Sequence, residues 1–246
     1  MINTLVIGGS KGLGRVVARL MAKRGDNVSV IGRSPIAASD LALGSISNYQ
    51  CDVNDLESIS KLLVDIHKKS GGFNYCIFLQ RYRGDGDSWQ GEIQTTMTAT
   101  KDIVNFISPL MSPDGDRAIA MVSSVFGQYV GEGQSISYHV AKAGLDQLMK
   151  YYAVNLGKEK IRCNTVTPFT FLKEESKSFY LQNEKLMSLY EKIIPLKRMA
   201  KAEDSANLIE FLCSDKAAFI SGQNIFVDGG LSLVWPETLA RQLMQV

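Results

Sequence analysis

Histidine is scarce in this chain, two residues in 246, and the four cysteines, Cys51, Cys76, Cys163 and Cys213, stand so far apart that no C-x-x-C occurs. No His/Cys/Asp grouping has metal-ligand spacing, so no metal is expected. The thiols read as core residues in a reducing compartment rather than as a disulfide framework. Long apolar runs are missing too: none approaches the roughly 18 residues needed to span a bilayer. No basic leader precedes the opening "MINTLVIGG", so a cytoplasmic protein with no membrane partner is expected. Neither sign of charge dominates, with 27 Lys and Arg against 25 Asp and Glu and a net charge of +2. Without a basic stripe, nucleic acid is not an expected partner, and a small molecule is.

What the chain does contain is alternation. Short β-branched or apolar runs occur at 3–8, 27–32, around 48–53, and at 75–79, 117–124, 161–166 and 224–230. Stretches of helical period fall near 12–24, 55–69, 89–110, 137–157 and 203–213. Such alternation builds βαβ units with right-handed crossovers and a parallel sheet covered on both faces. No linker or repeat divides the 246 residues, so one α/β domain is expected. A long irregular stretch, 167–200, is rich in Phe, Tyr, Lys and Glu, and a loop of that length is often a lid. Its aromatics could line an apolar substrate site or form the contacts of a lid helix. The tail 233–246 has the spacing of a short helix suited to a subunit interface.

"IGGSKGLG" (7–14) follows the first strand and opens the first helix. Gly8, Gly12 and Gly14 let the backbone turn tightly and aim helix N–H groups at a pyrophosphate. The second strand ends in Gly32-Arg33-Ser34, where an acidic residue would suit the ribose 2′-hydroxyl of NAD(H). Arg33, with Lys11 in the turn, suits a 2′-phosphate instead, so NADP(H) is expected over NAD(H). The alternative is that both are solvated surface cations.

"SYHVAKAGLDQL" (137–148) sets Tyr138 and Lys142 four apart on a helix, where their side chains share one face. A phenol is ordinarily a poor acid at neutral pH, and a neighbouring ammonium stabilises its phenolate. Tyr138 could then give a proton to a carbonyl or take one from an alcohol. Upstream, "MVSSVFG" ends a strand with Ser123 and Ser124, where a hydroxyl can steady a developing oxyanion.

Taken together, "GGSKGLG", "CDV" (51–53), "SSVFG" (123–127), "YHVAK" (138–142), "IRCNTVTP" (161–168), "IPLKRMA" (194–200) and "FISGQNIFVDGG" (219–230) resemble the short-chain dehydrogenase/reductase family. The likeness runs nearly the whole length and is greatest to NADP-dependent members of the 3-oxoacyl-ACP-reductase type. It implies a doubly wound, Rossmann-type sheet of seven parallel strands and carbonyl–alcohol redox by hydride transfer. Tyr138 would be the acid/base, Lys142 would support its phenolate and bind the nicotinamide ribose, and Ser124 would orient the carbonyl. The cofactor would be held by Gly8, Ser10, Lys11, Gly12, Leu13, Gly14, Arg33, Ser34, Asp52, Val53, Tyr138, Lys142, Pro168, Phe169 and Thr170. Assembly as a homo-oligomer, tetramer or dimer, through the C-terminal "FVDGG" segment is implied as well.

Three departures stand against the family pattern. Phe78-Leu79-Gln80-Arg81 occupies the place of Asn-Asn-Ala-Gly, Thr96 that of an asparagine in a proton relay, and Pro168-Phe169 that of Pro-Gly. They keep open a second class of function, a nucleotide-binding regulator or scaffold with little turnover. Arg81 and Arg83 could contact the cofactor or an anionic substrate, or belong to a solvated loop.

Overall fold

Short runs of four to seven residues, mostly apolar and too short to bury as helices, form the strands of the main sheet. The computed structural model describes residues 1–244. Its strands are β1 (Asn3–Ile7), β2 (Asn27–Gly32), β3 (Ile46–Gln50), β4 (Tyr75–Phe78), β5 (Ala118–Val122), β6 (Arg162–Pro168), β7 (Phe171–Leu172), β8 (Ala200–Lys201) and β9 (Asn224–Val227). Seven of them make one sheet in the order β3-β2-β1-β4-β5-β6-β9, and every neighbouring pair in it is parallel. The sheet is parallel, as the alternation implied, and the fold is the doubly wound α/β class that the family resemblance implied.

Because successive side chains point to opposite faces, each central strand feeds two cores. Leu5, Ile7, Cys76 and Phe78 join one cluster, while Val6, Tyr75 and Ile77 join the other. The first is closed by α3 (Leu56–Ser70), α5 (Ala99–Ile107) and α6 (Ile136–Asn155) through Ile59, Leu63, Ile103, Leu145 and Met149. Val17 and Met21 of α1 (Gly12–Arg24) and Ile209 and Leu212 of α9 (Ala202–Leu212) close the second. Three of the four cysteines are buried and all are free. No helix among the described residues is long and apolar enough to cross a membrane.

Two features of the pattern differ from expectation. The 89–110 helix is composite: α4 (Ser88–Glu92) passes through a π-helical turn at Ile93–Thr98 into α5. The 167–200 stretch is not irregular, since β7 pairs with β8 and encloses α7 (Lys177–Gln182) and α8 (Glu184–Ile193). Asn183 caps α8, its side chain accepting from the Leu186 N–H at 3.1 Å, and Leu186, Met187, Tyr190 and Ile193 repeat at helical spacing. The pattern is short, and charged neighbours interrupt it, which hides it in the sequence. The tail carries α10 (Pro236–Met244), while residues 245–246 lie outside the described residues.

Strand order reverses between β1 and β4, so the connections leaving their carboxyl ends run to opposite faces. An open α/β sheet leaves its binding crevice at this point. Both the glycine turn after β1 and the Gln80-Arg81 segment after β4 emerge there.

Candidate active site

The glycine turn is packed so closely that side chains are excluded by contact. Gly8 (φ +82°) would set a Cβ 2.7 Å from Gln80 N, and a Cβ on Gly14 would overlap the Gly8 carbonyl oxygen and lie 2.8 Å from Gly9 Cα. Gly12 has φ +55°, and its N–H donates to a carboxylate, Glu175 Oε1, at 3.0 Å. An anionic oxygen on the N-terminus of α1 shows that the turn accepts negative charge where a phosphate would sit. The residues present thus fit a dinucleotide.

A cleft of about 820 Å³ opens from the turn. Every residue expected to hold the cofactor lines it, from Gly8, Ser10, Lys11, Gly12, Leu13 and Gly14 through Arg33, Ser34, Asp52 and Val53 to Pro168, Phe169 and Thr170. Ser124, Tyr138 and Lys142 line the same cleft. Lys11 and Arg33 are exposed at its rim, and neither has a carboxylate partner among the described residues, whereas Arg15 and Arg19 are both paired with Asp40.

Ser135 places the phenol. As N-cap of α6, its Oγ accepts from the Tyr138 N–H at 3.2 Å, which fixes Tyr138 in the first turn. Lys142, one turn on, has its Nζ 5.8 Å from the Tyr138 ring centroid and donates to the Val122 carbonyl at 2.7 Å. Ser124 follows β5, its Oγ accepting from the Phe126 N–H at 3.3 Å. The Ser123 hydroxyl is engaged elsewhere, donating to the Lys142 carbonyl at 3.3 Å.

Burial pulls the Lys142 ammonium down to about 8, opposed by Glu92, assisted by Arg81 and opposed again by Asp146. The side chain is only 4% exposed, so the ammonium destabilises the fold below about pH 8, and this cost fades as the pH rises toward the ordinary lysine value. Lys142→Met should therefore be more stable than the wild type at pH 7. The gain should be roughly 1–2 kcal/mol once the lost hydrogen bond is set against the relieved charge. Urea unfolding at pH 7 and pH 10 checks this, with the gap narrowing at the higher pH.

The family departures now have physical accounts. The Gln80 side chain is tied to α5, its Nε2 donating to Thr100 Oγ1 at 2.7 Å. Arg81 turns inward, its guanidinium carbon 5.1 Å from the Tyr138 ring centroid. Thr96 is buried and its hydroxyl donates to Glu92 Oε2 at 2.9 Å, so Thr96 faces a carboxylate and not the cleft. Phe169 lines the cleft and stacks edge-on to Tyr190 at 6.0 Å. Of the aromatics in 167–200, Phe169, Phe171 and Tyr180 line the cleft, Tyr190 packs against Phe169 and Tyr180, and Phe179 is 61% exposed. Lys173 and Glu175, also on the cleft wall, carried no signal in the sequence beyond their place in the 167–200 segment.

Comparison with known proteins agrees with this geometry. The family model described as enoyl-(acyl carrier protein) reductase matches residues 8–232. A 3-oxoacyl-[acyl-carrier-protein] reductase of Bos taurus is 30% identical, covering 93% of this chain and 97% of its own. For a tropinone reductase homolog of Arabidopsis thaliana the identity is 27%, over 94% and 91%. Among solved structures, a putative short-chain dehydrogenase/reductase from Burkholderia xenovorans superposes with a TM-score of 0.83 at 26% identity, covering 95% of this chain and 97% of that one. The chain belongs to the short-chain dehydrogenase/reductase family, oxidoreductases that use a nicotinamide cofactor on carbonyl and alcohol groups of small molecules.

Proposed function

We propose that the protein is an NADP(H)-dependent oxidoreductase that interconverts a small carbonyl compound and its alcohol, with reduction the favoured direction. The observation that carries this reading is the meeting of Ser124, Tyr138 and Lys142 on the cleft that begins at the glycine turn. Bound NADP(H) would supply or accept the hydride. The Ser124 hydroxyl orients the carbonyl oxygen and steadies the charge that develops on it. Tyr138 delivers the proton from its phenolic oxygen, and the Lys142 ammonium stabilises the phenolate left behind. Residues 167–200 serve as the substrate lid of a single domain, and Phe169 and Tyr180 give it an apolar inner wall. The relatives named as 3-oxoacyl-[acyl-carrier-protein] and tropinone reductases support carbonyl reduction as the class of chemistry.

The NADP(H) preference rests on Arg33, after β2, and Lys11, in the glycine turn, two exposed cations with no carboxylate partner among the described residues. Arg33→Asp should lower the ratio of kcat/KM for NADPH over NADH by roughly 10- to 100-fold, because a charge-assisted phosphate contact becomes a repulsion. Steady-state kinetics with both cofactors decides it, and an unchanged ratio would remove the assignment.

The same reading includes a homo-oligomer. The edge strand β9 is half-buried along its length, and Tyr151 and Val154 of α6 are 60% and 79% exposed, an arrangement that invites a second copy. Light scattering should give a dimer or tetramer of the 27.1 kDa chain; a monomer at working concentration would contradict it.

A further inference from the structure

The N-terminus of α1 is engaged by the lid. Glu175 accepts from the Gly12 N–H, and the preceding Glu174 spans Arg15 and Arg19 at 2.8 Å each. Those two guanidinium groups also hold Asp40, at 2.9 and 2.5 Å, so residues 174–175 are tied to the first helix by three contacts. Partial burial pushes the Glu175 carboxyl up, yet the N–H groups of Glu175 and Gly12, with Arg15 and Lys173, hold it below its usual range. It sits there as an anion.

The same cleft is lined by three cations with no carboxylate partner within 4.0 Å among the described residues: Arg81, Arg83 and Lys173. The Arg81 Nε is buried without a hydrogen-bond acceptor. Lys173 Nζ rests over the Phe171 ring at 5.1 Å, and burial, Arg83 and Arg81 all pull that ammonium below its usual range. The cluster is placed by its neighbours. Lys173 Cδ lies 3.6 Å from where a Cβ on Gly12 would project, and Arg81 covers the Tyr138 ring. Lys173 and Arg81 therefore stand at the two ends of the span from the glycine turn to the phenol, with Arg83 close enough to Lys173 to act on its charge, and the repulsion among the three calls for a bound anion.

We propose that Glu175 holds the place of the cofactor's diphosphate in the free protein, and that the dinucleotide enters by displacing it. The diphosphate then lies between the Gly12 N–H and the cations of Lys173, Arg81 and Arg83. This rests on the nucleotide-binding reading above. Lys173 and Glu175 are two residues apart on one short segment, so the lid carries both the competitor for the site and part of its receptor. Cofactor arrival and lid release become one exchange of anions.

The test is binding by the full-length protein, followed by nucleotide fluorescence or calorimetry, with three probes: NADPH, NADH, and 2′-AMP, which has no diphosphate. Glu175→Ala should tighten NADPH and NADH about fivefold, with Glu175→Gln in between, because a competing charged hydrogen bond is lost. Arg81→Ala and Lys173→Ala should weaken both dinucleotides roughly tenfold. Binding of 2′-AMP should stay within twofold in all four variants, and unchanged thermal melting keeps the comparison to folded protein. Glu175→Ala that leaves dinucleotide affinity unchanged or weaker overturns the proposal, as does an equal change for 2′-AMP. Cation variants with intact dinucleotide affinity but a raised KM for a carboxylate-bearing ketone would overturn it by assigning the cluster to the substrate. Wild-type protein that binds neither dinucleotide is a different failure: the functional reading falls, and the proposal falls with it.

Discussion

Tyr138→Phe is expected to lower kcat about 10³-fold and leave the Kd for NADPH within twofold. The substitution removes one oxygen and keeps the ring, so the face covered by Arg81 at 5.1 Å and the cap from Ser135 at 3.2 Å are preserved. What disappears is the proton. Lys142 has no other phenol beside it to support: its Nζ lies 5.8 Å from the Tyr138 ring centroid, and its one hydrogen bond among the described residues is to the Val122 carbonyl. Steady-state kinetics together with nucleotide titration separates the effects: a matched loss in kcat and kcat/KM marks an interaction made in the transition state. A variant retaining more than a tenth of wild-type turnover would remove Tyr138 from the chemistry.

Gly14→Ala should act on the other half of the site, through the backbone. A Cβ at Gly14 has no open direction, meeting the Gly8 carbonyl and Gly9 Cα, while Gly8 is itself pressed on the Gln80 backbone. The turn and the first turn of α1 must therefore separate. Overpacking of this kind costs about 1–3 kcal/mol of stability. The larger effect is on binding, because the N–H groups at the start of α1 cease to converge on one anion, and NADPH affinity should fall on the order of 100-fold. Thermal melting and titration of the same preparation check both. Gly12→Ala offers the contrast: nothing lies closer than 3.6 Å to its Cβ position, so its cost is confined to a φ of +55° and should be smaller.

These predictions draw on features of unequal visibility in the sequence. The sheet was legible because Leu5-Val6-Ile7 and Cys76-Ile77-Phe78 are apolar at every position, as strands buried on both faces must be. Tyr138 and Lys142 were legible because four residues on a helix is one turn, a local rule that tertiary structure does not alter. The position of Arg81 over Tyr138 joins residues 57 apart in the chain and depends on which way one side chain leaves the end of β4. The bond from Gly12 to Glu175 spans 163 positions and has no periodic signature at all. Thr96 shows the same limit on a smaller scale: its hydroxyl meets Glu92, four residues back, within a helix whose π-turn was not apparent from spacing. Contacts set by local period were readable, and contacts made where residues 173–175 meet the glycine turn were not.

Turnover separates the two functions open to this fold, an oxidoreductase worked by Ser124, Tyr138 and Lys142 and a protein that only binds the nucleotide. The most direct measurement is loss of NADPH absorbance by purified wild-type protein and Tyr138→Phe, side by side, across a panel of ketones, aldehydes and 3-oxoacyl thioesters. At least one compound should be reduced by the wild type, with stoichiometric alcohol formed, and the same compound should be turned over about 10³-fold more slowly by Tyr138→Phe at equal NADPH occupancy. Tight NADPH binding with no wild-type turnover of any compound would contradict the oxidoreductase function.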